Sequence, residues 1–211
     1  MRRRWVCVIV ASMTDTMIST AAGVERDRAV ATLATAFGSD PVIRWLYPDP
    51  GRYLRWFPRL VELLGGDAFD SGTAVANADR TGVALWVAPD VAADEDALVE
   101  LFEASIDARR LHAVMALLEQ VAAAHPTNPV WYLPFIGVDP LAQGRGVGGR
   151  LLADGLAWAD RDVLPAYLEA STARNRALYA RHGFEVVGEL RAGDSPSLWP
   201  MLRPAREEAW R

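Results

Sequence analysis

The run V-W-Y-L-P-F-I-G-V-D-P-L-A-Q-G-R-G-V-G-G, from Val130 to Gly149, decides how the rest of the chain is read. An apolar stretch ends at an Asp-Pro pair. A glycine-rich segment then opens a pattern in which Val147, Leu151, Leu152, Leu156 and Ala159 recur at helical spacing. The reading is strand, loop, helix start. The first amides of a helix have no carbonyl partner within it, so they attract anions, phosphate above all. Gly144, Gly146, Gly148 and Gly149 remove the Cβ atoms that would hold a ligand off the main chain, and Arg145 adds a permanent positive charge.

Three phosphate loops share this wording. A Walker loop requires lysine, and the chain contains none. Gly144, Gly146 and Gly149 satisfy the G-x-G-x-x-G of dinucleotide-binding folds, and Glu169 lies near the spacing of their ribose-binding acid. Position argues against that option. The dinucleotide turn follows its strand directly, whereas residues 139–143 intervene here, and only about a quarter of the chain remains for further βα units. The third option is a pyrophosphate loop for coenzyme A.

At these residues the chain resembles the GNAT superfamily of acyl-CoA N-acyltransferases. The family's strand-and-loop motif is matched by Val138, Pro140, Gln143, Gly144, Arg145, Gly146, Val147 and Gly148. A second match lies at Asn175, Tyr179, Gly183 and Phe184 in N-R-A-L-Y-A-R-H-G-F. The wording W-Y-L-P-F-I-G-V-D-P, Y-L-E-A-S and S-L-W-P-M-L-R-P looks closest to the puromycin N-acetyltransferase-like branch. Similarity covers residues 129–203, more loosely 18–90.

The resemblance implies an α/β (α+β mixed) fold, a GNAT-like single domain. It has a central mixed, mostly antiparallel twisted sheet of about six to seven strands flanked by helices. It further implies acetyl-CoA as acetyl donor, no metal, and direct transfer to a primary amine of a small molecule within a ternary complex. Pantetheine would lie along Ile136, Gly137 and Val138 like an added strand, on main chain left open by a bulge and by splayed neighbours. The pyrophosphate would meet the segment from Gln143 through Gly144, Arg145, Gly146, Val147 and Gly148 to Gly149. Asn175 would hold the pantetheine arm or order its helix. Tyr179, four residues on and so on the same helix face, matches the family's proton-donating tyrosine.

Composition bounds these expectations. The chain has 211 residues, 51% of them hydrophobic and 23% charged, enough for one substantial core. The net charge of -5, without a basic stripe, argues against a nucleic-acid partner. Lone Cys7 excludes an internal disulfide framework, and His112, His125 and His182 are scattered without metal-site spacing. No apolar run is long enough to cross a bilayer, so no membrane partner is expected and the protein reads as cytoplasmic. Arg2, Arg3 and Arg4 ahead of a short apolar run are weak material for a signal peptide, since S-M-T-D-T-M follows. Residues 1–16 are expected to be a disordered extension, 17–204 the acyltransferase domain and 205–211 a tail. The state is expected to be monomer or homodimer.

Along the chain, strands are expected at 18–22, 73–78, 82–88, 166–170, 184–189 and 198–202, besides the one before the loop. The pair around D-R-T-G forms a hairpin. A helix capped by Asp27 should end near Gly38. Three prolines then break the chain before a second helix with Leu54, Phe57, Leu60, Val61 and Leu64 on one face. One long helix is expected from Asp94 to about Ala124, and another at 174–182. The resemblance gives the first half of the chain to the acceptor pocket, with Trp45, Trp56 and Trp86 as substrate-binding candidates. Each is equally readable as a core aromatic.

Acetyl transfer to an amine needs a proton removed from an ammonium and a departing thiolate stabilised. A reference thiol pKa near ~8.5 means that the leaving sulfur favours protonation, which Tyr179 can assist. An alkyl ammonium needs a base. Glu169, at the carboxyl end of its strand, is the leading carboxylate, with a salt bridge or an acceptor contact as its other reading. His125 and His182 are weaker candidates, His182 reading more simply as the end of its helix beside Gly183. The motif holds no cysteine to carry the acetyl group. Two other functions fit less well: a non-catalytic acyl-CoA-binding module and a dinucleotide-binding protein.

Overall fold

In the computed structural model, described over residues 18–20, 24–91 and 93–206, seven strands form one sheet. They are β1 (Ile18–Thr20), β2 (Ala74–Asn77), β3 (Gly82–Val87), β4 (Trp131–Val138), β5 (Ala166–Ala170), β6 (Glu185–Val186) and β7 (Trp199–Arg203), ordered β1-β2-β3-β4-β5-β7-β6. Only β4 and β5 run parallel; every other pairing is antiparallel. The expected mixed, mostly antiparallel sheet is present. Residues 1–16 and 21–22 of the expected extension and first strand, and 207–211 of the tail, lie outside the described residues.

Helices cover both faces, which is why β2 and β3 are buried along their whole length instead of alternating with polar residues. On one face Ala74, Ala76, Val83, Leu85 and Phe135 pack against α1 (Arg26–Ala36), α2 (Pro41–Leu46), α3 (Pro50–Gly65), α4 (Asp67–Asp70), α5 (Glu95–Ser105) and α6 (Ala108–Ala124). On the other face Val75, Ala84, Trp86, Trp131 and Leu133 pack against α7 (Val147–Asp162) and α8 (Ala173–Arg181). Trp86 fits against α7 only because residue 155 is glycine: a Cβ there would stand 1.8 Å from Trp86 Nε1. Gly137 does the same on the opposite face, where a Cβ would lie 2.8 Å from Ala36. Its absence lets the end of α1 close on β4.

Local signals explain where the helices begin, and three expectations need correction. Asp27 is not a cap; it sits in the first turn of α1, and Glu25 at the N-cap makes no side-chain capping bond. The Asp-Pro pairs read as chain breaks are helix starts. Asp40 accepts from the amides of Val42 and Ile43, Asp49 from Arg52, each followed by proline at the first helical position. Proline has no amide to leave orphaned there and a φ already set for the helix. The long helix from Asp94 is two helices. Ile106 is extended, Asp107 caps α6 through the Arg109 amide, and buried Ile106 carries the apolar period across the break. No helix among the described residues is long and apolar enough to cross a membrane.

Candidate active site

The site is built on an irregularity in β4. Leu85 pairs with Phe135, but Val87 pairs with Tyr132, so one more residue is counted on β4 than on β3 between these pairs. This bulge contains Pro134, which has no amide to offer a ladder. It reverses the side-chain alternation. Trp131 and Leu133 face α7, then Phe135 faces the helices of the other layer, and Ile136 and Val138 face α7 again. The parallel partner is lost at the same point: β5 pairs only with Trp131 and Tyr132. From residue 133 onward the main chain of β4 on that side is open.

The strand then runs into the glycine loop. Asp139 caps a short turn at Pro140–Ala142, and Gln143 donates from Nε2 to the Val138 carbonyl at 3.0 Å. Gly144 and Gly146 both have φ of +78°, the left-handed conformation that glycine adopts without Cβ strain, and Gly146 is the N-cap of α7. The amides of the first turn of α7 thus meet the groove without a protein cap. Arg174 Nη1 donates to Gln143 Oε1 at 3.1 Å, which brings a cation to the loop from α8.

Two cavities open at this place. One, of about 440 Å³, is lined by Ile136, Gly137, Val138, the loop and the α8 residues Asn175, Leu178, Tyr179, Arg174 and Arg181. Every sequence-predicted cofactor residue lines it except exposed Arg145, whose carbonyl accepts from Arg150 Nη1 at 3.4 Å. The other, of about 190 Å³, runs between β4 and the helices α3, α5 and α6, with walls of leucine, valine and phenylalanine. Phe37, Asp40, Ile136, Asn175 and Tyr179 belong to both. The two cavities therefore meet at the tyrosine.

Tyr179 is 6% exposed, and burial together with the nearby Asp40 carboxylate raises its hydroxyl well above the ordinary tyrosine range. It keeps its proton at neutral pH and can act as a donor. Thr172 caps α8 by accepting from the Asn175 amide at 3.1 Å, which sets Asn175 and Tyr179 one turn apart over the opening. Glu169 lines only the smaller cavity. Tyr132 Oη donates to its Oε2 at 2.9 Å, while Oε1 is enclosed with no partner among the described residues. Burial pushes this carboxyl up to about 7, the Tyr132 hydrogen bond pulling the other way. A carboxylate so placed can exchange a proton near neutrality.

The remaining candidates sit elsewhere. His125 packs edge-on to Tyr132 and Tyr167 at ring distances of 5.1 and 4.9 Å, outside the lining of both cavities. His182 ends α8, beside Gly183 with φ of +90°. None of the three tryptophans lines either cavity. Trp86 is fully buried under α7, Trp45 donates to Asp194, and Trp56 carries Arg55 and Arg59 on its ring. Sequence reasoning missed Asp40, Arg174 and Arg181, because nothing local to them signals a site.

A family model for the acetyltransferase (GNAT) domain matches residues 91–186. A solved structure from Corynebacterium glutamicum, described as histone acetyltransferase HPA2 and related acetyltransferase, is 30% identical, with a TM-score of 0.64 over 92% of this chain and 99% of that one. The chain belongs to the GNAT acetyltransferases. An uncharacterised N-acetyltransferase of Schizosaccharomyces pombe is 26% identical over 171 residues, 74% of this chain and 69% of that protein. Arylalkylamine N-acetyltransferase 2 of Aedes aegypti shares the fold at 14% identity, with a TM-score of 0.63 over 91% of this chain and 100% of its own.

This GNAT chain is thus an acetyl-CoA-dependent N-acetyltransferase. Its groove has the chemistry that such a donor requires. Helix-start amides and two arginines suit phosphates, and the open edge of β4 suits the amides of a pantetheine arm.

Proposed function

We propose that the protein transfers the acetyl group of acetyl-CoA directly to a primary amine of a small molecule, both substrates being bound together. One observation carries this reading: the loop-lined groove and the apolar cavity meet at Tyr179, Asn175 and Ile136. A thioester lying in the first and an amine entering from the second come face to face there, and no cysteine is among the described residues that line either cavity.

Acetyl-CoA supplies an acetyl group activated as a thioester. Gly144, Gly146 and the amides from Val147 to Gly149 hold its pyrophosphate, each charge-assisted hydrogen bond contributing about 1.5–3 kcal/mol. Arg174 and Arg181 add positive charge at the rim. Main chain near Ile136 holds the pantetheine arm and stabilises negative charge on the acyl oxygen as nitrogen attacks. Glu169 takes one proton from the acceptor ammonium. Tyr179 donates to the sulfur as the carbon–sulfur bond breaks, and the second proton lost by nitrogen replaces the one it gives. One hydrogen stays on the amide.

The finer resemblance to the puromycin-like branch supports a small but bulky amine as the acceptor. The test is thiol release from acetyl-CoA across antibiotic, arylalkyl, polyamine and amino-acid amines, run beside calorimetry with coenzyme A and NAD(H). Transfer to at least one amine, with coenzyme A bound and NAD(H) not, is the expected result. Binding of coenzyme A without transfer to any amine would leave an acyl-CoA-binding module. Binding of NAD(H) alone would leave a dinucleotide-binding protein.

A further inference from the structure

The polar groups of the smaller cavity are unevenly placed. Its walls from α3, α5 and α6 include Leu60, Leu64, Leu98, Phe102, Leu117 and Val121, with no polar side chain from any of these helices. All its polar residues lie at the other end, toward β4, β5 and α8, and none of the lining residues carries positive charge. Two are carboxylates, Glu169 and Asp40. Only Asp40 also lines the loop groove, so it alone of the two stands at the opening where the cavities join.

Asp40 is also held rigidly. Its Oδ1 accepts from the amides of Val42 and Ile43 at 3.0 and 3.1 Å, and its Oδ2 accepts from Ser171 Oγ, at the end of β5. The carboxylate is consequently fixed at the seam between α2 and β5 while remaining partly open to the cavity. A positive charge entering a low-dielectric space needs a counter-charge at hand, and one placed in a hydrocarbon wall finds none.

The geometry points to a monocationic primary amine on an apolar body as the acceptor, with Asp40 as the residue that holds its ammonium at the junction. This rests on the assignment of the smaller cavity to the acceptor. A polyamine fits poorly, because its second ammonium would lie among Leu98, Phe102 and Leu117. A free amino acid fits poorly as well, because its carboxylate would face Asp40 and Glu169. The apolar body occupies the helix-lined end, and acetylation removes the charge that Asp40 held, which favours release of the neutral amide.

Calorimetry on the full chain saturated with coenzyme A tests this, using phenethylamine, its uncharged analogue phenethyl alcohol, putrescine and phenylalanine. Phenethylamine should bind at least about tenfold more tightly than putrescine or phenylalanine, as expected when a charge is left without a partner. Asp40→Asn keeps a side chain that caps α2 equally well, so thermal stability and coenzyme A affinity should hold. It should weaken phenethylamine by about tenfold or more while leaving phenethyl alcohol unchanged. Equal binding of putrescine or phenylalanine overturns the acceptor class. Loss of both the amine and the alcohol in Asp40→Asn, or of neither, overturns the role of Asp40. Faster thiol release with putrescine than with phenethylamine also overturns the acceptor class and leaves acetyl transfer intact. If no amine releases thiol, the transfer reading fails while calorimetry still decides the selectivity.

Discussion

Tyr132, the last residue of β4 to pair with β5, donates its hydroxyl to Glu169 Oε2 at 2.9 Å, on the face that lines the smaller cavity. The bond joins the place where the strands part to the carboxylate assigned the proton. Burial raises that carboxyl to about 7, and Tyr132 restrains the rise. With Glu169 as the proposed base its charged form would be the active one, so kcat/KM for a strongly basic acceptor should increase with pH through an inflection near 7. Tyr132→Phe removes a donor to the carboxylate and should move the inflection upward by roughly half a unit to one unit. A pH–rate profile of both proteins checks the sign.

Glu169 also costs stability. Its folded-state value lies above the ordinary 4.5, so the native chain holds the proton more tightly than the unfolded one. Stability is lost as pH rises from about 4.5 to about 7 and stays low above that. Glu169→Gln should therefore raise Tm by a few degrees at pH ~8, a gain on the order of 1–3 kcal/mol that fades toward pH ~4.5, while slowing turnover. Calorimetric scans across that range decide it.

Tyr179→Phe removes the proposed proton donor from the junction without opening a void. Turnover should fall by about 10²-fold while acetyl-CoA affinity stays within roughly twofold. Single-turnover kinetics and calorimetry separate the two. Unchanged turnover would remove the role given to this hydroxyl.

Arg174 and Arg181 line the groove from α8, Arg174 tied to the loop through Gln143. Replacing either with alanine should weaken acetyl-CoA by about three- to tenfold at low salt, and the difference should shrink as ionic strength rises. The salt dependence distinguishes lost charge from a disturbed loop.

Gly155→Ala should destabilise the fold. A Cβ at this position would stand 1.8 Å from Trp86 Nε1, an overlap with a fully buried ring. A cost of at least about 1–3 kcal/mol is expected in chemical denaturation, and Trp86→Phe in the same chain should recover part of it.

The lining of the larger groove was legible because its signal is local. A glycine loop that opens a helix appears as consecutive letters, and Asn175 and Tyr179 appear one helical turn apart. The lining of the smaller cavity was not. Asp40 is ninety-nine positions from Asp139, and both look alike as Asp-Pro pairs; only packing puts the first at the junction and leaves the second in a surface turn. The tryptophans drew attention as large aromatics in the half of the chain that the resemblance gives to the acceptor pocket, yet the smaller cavity is walled by ordinary leucines and valines whose period speaks only of burial. The bulge was expected only through the resemblance; the structure places Pro134 within it, where a proline is tolerated because the ladder is interrupted. The break at Ile106 left no mark in the apolar period because the residue that breaks the helix is itself buried.

The extra residue in β4 makes one strand serve two interiors in succession. Removing it, for instance by deleting Pro134, would slide the strand by half a pleat and exchange the neighbours of everything on one side of the cut. Phe135 would have to leave the helices it anchors, or Leu133 the ones beneath it, and the gap between β4 and β5 would lose its reason to stay open. The defect in the ladder is what opens the strand edge where the two cavities join.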